Sequence, residues 1–273
     1  MAARFGPVFA FASLVAAAPA FASDLVSYEA VYEVRLAHAS GSFGPRAATG
    51  VYESRFAETC SGWDHKTHIT LNLSFTEGTP TTNERFFSSF ENKNGQDYSF
   101  AAVTFRNNKR IESYKGSAVL DKRGGKAVYE VPAADNKKPG RIVTLKLPLG
   151  TLFPAAHSKL LFDKAASGEP FYSSVVLNGS SSVGPRVQSI AIGPRVEASG
   201  DDVDPLLAQF PSWRMSTAFF NLNEKRDIPN SEMFQRVFGS GVLESFDQTF
   251  TDFTVSVKLK RLLWIDPPSC PQS

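Results

Sequence analysis

A chain of 273 residues that is 42% hydrophobic and 21% charged has the balance of a globular protein, which sets aside disordered, fibrous and low-complexity readings. Its 29 basic residues barely exceed its 27 acidic ones, so no strong field gathers nucleic acid from a distance, and no nucleic-acid partner is expected. The 23 phenylalanines outnumber all other aromatics, a skew toward a residue that suits sheets, and an all-β fold is the first expectation.

The chain begins with a short basic start at Arg4, an apolar run from Val8 to Ala18, and the triplet Ala20-Phe21-Ala22 in A-x-A form. This pattern predicts a cleavable secretory signal peptide over residues 1–22, and with it a soluble, exported chain from residue 23 to 273. The apolar run is shorter than the roughly 20 residues of a membrane span, so no transmembrane segment is expected. Loss of Arg4 leaves the exported chain with a single basic residue in excess.

Beyond the leader, apolar residues alternate at period two almost everywhere. Tyr28, Ala30, Tyr32, Val34 and Leu36 share one face of a strand, and Ala47 to Phe56 repeats the pattern. The longest face runs Trp63, His65, Thr67, Ile69, Leu71, Leu73 and Phe75, which predicts a long strand buried on one side. Further strands are expected at Glu84 to Glu91, Tyr98 to Arg106, Arg110 to Leu120, Ala127 to Val131 and Arg141 to Leu147. Another six are expected at Phe171 to Leu177, Arg186 to Ile192, Trp213 to Phe220, Met233 to Phe238, Val242 to Phe250 and Phe253 to Leu259.

Turn residues such as Asn107-Asn108 and Arg123-Gly124-Gly125 separate these runs, as in an antiparallel meander. One helix is expected, Pro154 to Ser167, with Pro154 in its first turn, Gly168 beyond its end and an apolar stripe of Phe153, Ala156, Leu160 and Leu161. The segment Ile192 to Asp204, with Gly193-Pro194, Gly200 and three acidic residues, predicts an exposed loop. No composition shift divides the chain, so residues 23–273 read as one β domain.

Export would place Cys60 and Cys270 in an oxidising compartment, where two cysteines most simply form one disulfide. They lack C-x-x-C spacing, and the prolines around Cys270 suit a rigid tail, so a structural bond is expected over a redox pair. Histidine occurs at positions 38, 65, 68 and 157 only. His65 and His68 would share a face on a helix, but on a strand their spacing sends them to opposite faces, and no metal site is expected there. His157 reads as a polar anchor of the helix against the sheet. G-x-S-x-G, S-x-x-K and H-E-x-x-H are absent, which removes support for the hydrolases they mark. Gly124-Gly125-Lys126 lacks the glycine spacing and following Ser or Thr of a phosphate loop and reads as a turn. Asp201-Asp202 reads as a solvated loop pair. No catalytic residue and no cofactor is assigned.

The strand Val51-Tyr52-Glu53, the turn Cys60-Ser61-Gly62-Trp63, the run Gly150-Thr151-Leu152-Phe153-Pro154-Ala155-Ala156-His157 into the single helix, and Cys270 near the end occur in an order that resembles the envelope integrity protein B (EipB)-like family, a periplasmic domain of unknown function of alphaproteobacteria. The likeness spans nearly the whole chain after the leader. It implies a β-spiral, a long twisted antiparallel sheet curled into an open oval cup with one helix against it, and a disulfide between Cys60 and Cys270. It also implies a role in cell-envelope integrity with no established enzymatic activity, and a likeness in shape to periplasmic carriers and sensors. The function expected is therefore a periplasmic, monomeric, non-catalytic binding module for a lipid, lipoprotein or extended peptide, with envelope proteins as further partners. Its rival is a hydrolase acting on an envelope polymer. An aromatic-rich concave face lined in part by Phe86, Phe87, Phe90, Phe100, Phe105, Phe219, Phe234 and Phe238 would serve the first.

Overall fold

The structure, a computed structural model, describes residues 25–39, 44–133, 140–181, 184–197, 204–222 and 228–271; the leader and the Asp201-Asp202 pair lie outside them. Among the described residues, fourteen strands and one α-helix follow in order. They are β1 (Tyr28–Ala39), β2 (Ala47–Glu58), β3 (Gly62–Ser74), β4 (Thr81–Asn92), β5 (Asp97–Arg106), β6 (Lys109–Asp121), β7 (Gly124–Val131), β8 (Arg141–Leu147), α1 (Pro154–Ala166), β9 (Phe171–Val176), β10 (Arg186–Val196), β11 (Ser212–Asn221), β12 (Ser231–Phe238), β13 (Leu243–Thr249) and β14 (Phe253–Trp264). Each strand expected from alternation is present, offset by a few residues at its ends.

All fourteen strands form one antiparallel sheet in the order β8-β7-β6-β5-β4-β3-β2-β1-β14-β13-β12-β11-β10-β9. It consists of two meanders, β1 to β8 and β9 to β14, joined where the first strand pairs with the last. β8 and β9 are the two edges and do not bond to each other, so the sheet is curled but not closed. The segment leaving β8 stitches the edges together: Leu152 N donates to Val175 O and its carbonyl accepts from Leu177 N. An open edge is thereby covered, as a stable sheet requires.

Alternation assigns each strand an inward and an outward face. Tyr28, Ala30, Tyr32 and Val34 of β1 point inward and join Val255, Val257, Leu262, Leu207 and Phe238 in one apolar cluster. A second cluster packs α1 residues Ala155, Leu161, Phe162 and Ala165 against Trp63, Ile190, Ile192, Trp213 and Met215. A third sits between β5 to β8 and the residues Phe153 and Leu177.

The buried stripe of α1 differs from the expected one. Ala155, His157, Leu161, Phe162 and Ala165 are buried, whereas Leu160 is 37% exposed. The face rotates because Glu91 of β4 engages the first turn, its carboxylate accepting from Ala155 N at 2.6 Å and Ala156 N at 2.9 Å. Phe153, at the N-cap, offers no side-chain acceptor of its own. At the other end Gly168 has φ +80°, and Gly168 N and Glu169 N close on the carbonyls of Ala165 and Lys164, a Schellman end.

Two loop expectations are corrected. β10 runs through Gly193-Pro194 to Val196, with a register shift between Ile192 and Arg195 that admits the proline without a lost ladder bond. Gly124 and Gly125 are the first residues of β7 rather than part of a turn. By contrast Asn107 and Asn108, with φ of 49° and 62°, form the tight turn expected of them.

The β9–β10 connection enters the curl. Four consecutive carbonyls, of residues 178 to 181, each accept from a side chain of the first meander: Tyr98 hydroxyl to Asn178 O at 2.7 Å, Tyr114 hydroxyl to Gly179 O at 3.0 Å, Arg85 to Ser180 O at 2.7 Å and Tyr129 hydroxyl to Ser181 O at 3.4 Å. Burial pushes the Tyr114 hydroxyl up to about 12 and the other two phenols upward as well, so all three stay protonated as donors. Cys60, in the β2–β3 turn, is bonded to Cys270 in the tail after β14, with Cα atoms 5.4 Å apart.

Candidate functional site

Inside the curl, neighbouring strands bring a run of aromatic rings together. Tyr32 and Tyr52 lie 5.3 Å apart, and Phe246 meets Tyr52 edge-on at 6.1 Å. Phe56 stacks on Trp63 at 5.1 Å and contacts His65 at 6.0 Å, and His65 contacts Phe87 at 6.4 Å. Tyr52, Phe56, His65, Phe87 and Phe246 are only half-buried. They form an apolar wall that the core clusters leave partly accessible.

Polar groups on this wall are few and engaged. Burial pushes His65 down to about 4, so its ring is neutral near pH 7, and its Nε2 lies 3.2 Å from Ser54 Oγ. Arg85 bonds Glu112 at 2.8 Å. Glu91 is occupied by the helix terminus; burial raises its carboxyl, with the two backbone bonds and Lys159 opposing that rise. His157 stacks on Tyr172 at 5.7 Å, and its Nε2 has no hydrogen-bond partner, so it packs against β9 rather than anchoring it by a polar bond.

The eight phenylalanines expected to share a concave face do not share one. Phe87 and Phe219 point inward and stay half-buried, whereas Phe100 and Phe238 are core residues at 4% and 0% exposure. Phe86, Phe90, Phe105 and Phe234 point outward, with Phe86 42% and Phe234 53% exposed. Adjacent residues of a strand face opposite ways, so Phe86 and Phe87 cannot line the same surface. Sequence reasoning missed Tyr52, Phe56 and Phe246 as wall residues; their alternation marked a buried face, not which part of that face the core would leave uncovered.

On the outward face, strand twist makes a trough of about 490 Å³ over β14, β1, β2, β3, β4 and β5. Two adjacent rows of side chains line it. One runs Leu263, Glu29, Arg55, Lys66, Ser88 and Ala101; the other runs Arg261, Val31, Glu53, His68, Phe86 and Val103. His68 bridges Glu53 and Glu84 at 2.9 Å each and lies flat on Phe86 at 4.3 Å. Partial burial opposes its charge, but the bonds to Glu53 and Glu84 prevail and hold its pKa above the ordinary value. His65 and His68 thus face opposite sides of β3, and among the described residues no group of His, Cys, Asp and Glu is placed to hold a metal ion.

No helix among the described residues is long and apolar enough to cross a membrane. The sequence matches the EipB-like family over residues 19–266. This chain belongs to the EipB-like family. It is 26% identical over 268 residues to the cell envelope integrity protein EipB of Brucella abortus (strain 2308), an alignment that covers 96% of this chain and 92% of that one. Its fold is similar to the crystal structure of a beta-barrel-like protein of a domain of unknown function from Brucella abortus, with a TM-score of 0.79, 22% identity, and coverage of 89% of this chain and 99% of that chain.

Proposed function

We propose that this EipB-like protein serves cell-envelope integrity from the periplasm, as a binding module that breaks no bonds. Residues 1–22 act as a cleaved leader, and residues 23–273 form one monomeric domain. The inner wall holds an apolar or extended ligand, such as a lipid tail, the acyl portion of a lipoprotein, or a peptide. One observation carries this reading: five inward rings, Tyr52 in contact with Phe246 and His65 in contact with Phe56 and Phe87, remain half-buried inside the curled sheet. An apolar concavity with few polar groups suits capture by burial, at about 0.8 kcal/mol for each CH₂ removed from water. The neutral His65 and the engaged Glu91 and Glu112 leave the wall without a matched acid and base, which supports binding over hydrolysis.

Titration of a fluorescent fatty acid and of an extended apolar peptide tests the reading. A saturable class of sites whose affinity falls at least tenfold in Phe87→Ser and Phe246→Ser supports it. Turnover of an envelope polymer, with neither ligand bound, would replace it with the hydrolase reading.

A further inference from the structure

We propose that the outward trough is a second ligand site, independent of the inner wall, which takes a long-chain carboxylate with its head at Lys66 and its tail over Phe86, Ala101 and Val103. Four features of the trough lead to this assignment. Its volume of about 490 Å³ lies in the range of small-molecule sites, which run roughly from 300 to 1,000 Å³. Its floor beside Lys66 is built of small or apolar side chains, and Phe86, an apolar ring, is 42% exposed there. An adjoining groove of about 450 Å³ shares Lys66, Ser88 and Ala101 with the trough and continues past Phe90, Ser99 and Ser117 toward the Lys115–Glu130 ion pair, giving a tail room beyond β5.

The charges select the head group. Glu29 is bonded to Arg55 at 3.0 Å, and Glu53 shares a bond to His68 with Glu84, so both carboxylates lining the trough are already engaged. Lys66 has no carboxylate within salt-bridge distance among the described residues. Strand register sets it between Arg55 on one side and Ser88 on the other, at the point where the two grooves meet. A single ammonium on a flexible stem binds one anionic group as a point charge, and a carboxylate fits that role. The tail then covers the exposed Phe86 and the half-buried Val103.

Calorimetric titration of the full chain with palmitate and with hexadecanol, a tail of equal length without the charge, tests the assignment. Palmitate is expected to bind about tenfold tighter than hexadecanol, an advantage lost in Lys66→Glu and kept in Lys66→Arg. Ala101→Phe, which fills the floor, is expected to weaken both ligands. These outward substitutions leave the core intact, so an unchanged melting temperature separates lost binding from lost folding. Phe246→Ser, on the inner wall, is expected to leave the palmitate preference in place. If Lys66→Glu and Ala101→Phe bind palmitate as the wild type does while Phe246→Ser does not, the ligand occupies the inner wall alone; the trough assignment then falls and the proposed function stands. If palmitate binding survives Phe246→Ser and disappears in Lys66→Glu, the trough is a site whatever the inner wall holds.

Discussion

Burying a histidine is costly when one ring nitrogen lacks a partner, and His157 is in that position at 7% exposure. Burial pushes it down to about 4, so between that value and about 6.5 the unfolded chain takes up a proton that the native chain refuses. A depressed histidine pKa therefore removes stability as pH falls through this window and has no such effect above it. His157→Phe keeps the ring over Tyr172 and abolishes the titration. The stability difference between variant and wild type should shift by roughly 2 kcal/mol in favour of the variant between pH 8 and pH 5 in urea denaturation. A difference that does not change with pH would refute this account. Glu91 has the opposite character, a buried carboxylate justified by two helix N–H groups. Glu91→Ala leaves both donors unpaired at the start of α1 and should cost about 2 kcal/mol; a loss below about 0.5 kcal/mol would show that the terminus is capped by other means.

At the scale of elements, the β9–β10 connection ties the two meanders together across the curl. Its four carbonyls are received by Arg85 and by tyrosines from three other strands, so a loop at one end of the sheet is fixed to the middle of the other meander. Gly179 sits at φ +65°, and a Cβ there would lie 2.4 Å from the Phe100 ring. Gly179→Ala should cost about 3 kcal/mol, by strain and overpacking together, whereas Tyr114→Phe, which removes one hydroxyl, should cost about 1 kcal/mol. Hydrogen exchange at β9 and β10 should rise first in both variants. Uniform exchange across the sheet would mean that this connection is not a separate fastening. No local pattern told which side chains would reach this stretch, because they lie 52 to 95 residues away in sequence and meet it only through the curl.

For the whole molecule, the bond from Cys60 to Cys270 spans a sequence separation of 210 residues. Loop-closure entropy sets an upper bound of about 5 kcal/mol on its contribution, and native chains commonly realise less. Replacing both cysteines with Ser should lower the melting temperature and protease resistance by an amount equivalent to about 2–4 kcal/mol, while ligand binding persists, since neither cysteine lines the inner wall or the trough. A double variant as stable as the wild type would show that pairing of β1 with β14 already holds the tail.

Alternation at period two determined by itself the number of strands, the residues sharing a face of each, and the exclusion of a shared face for His65 and His68. Pro154 and Gly168 likewise delimited α1, because one residue preorganises a first turn and the other tolerates the left-handed end. These are local properties, decided by backbone sterics within a few residues. Pairing of β1 with β14, the stitched edges, the split of the phenylalanines between two surfaces and the rows that set Lys66 beside Ser88 were decided only by the tertiary structure. A periodic pattern says which residues of one strand point the same way; which residues of different strands stand side by side depends on register and twist, and those follow from how the whole sheet buries its inner face.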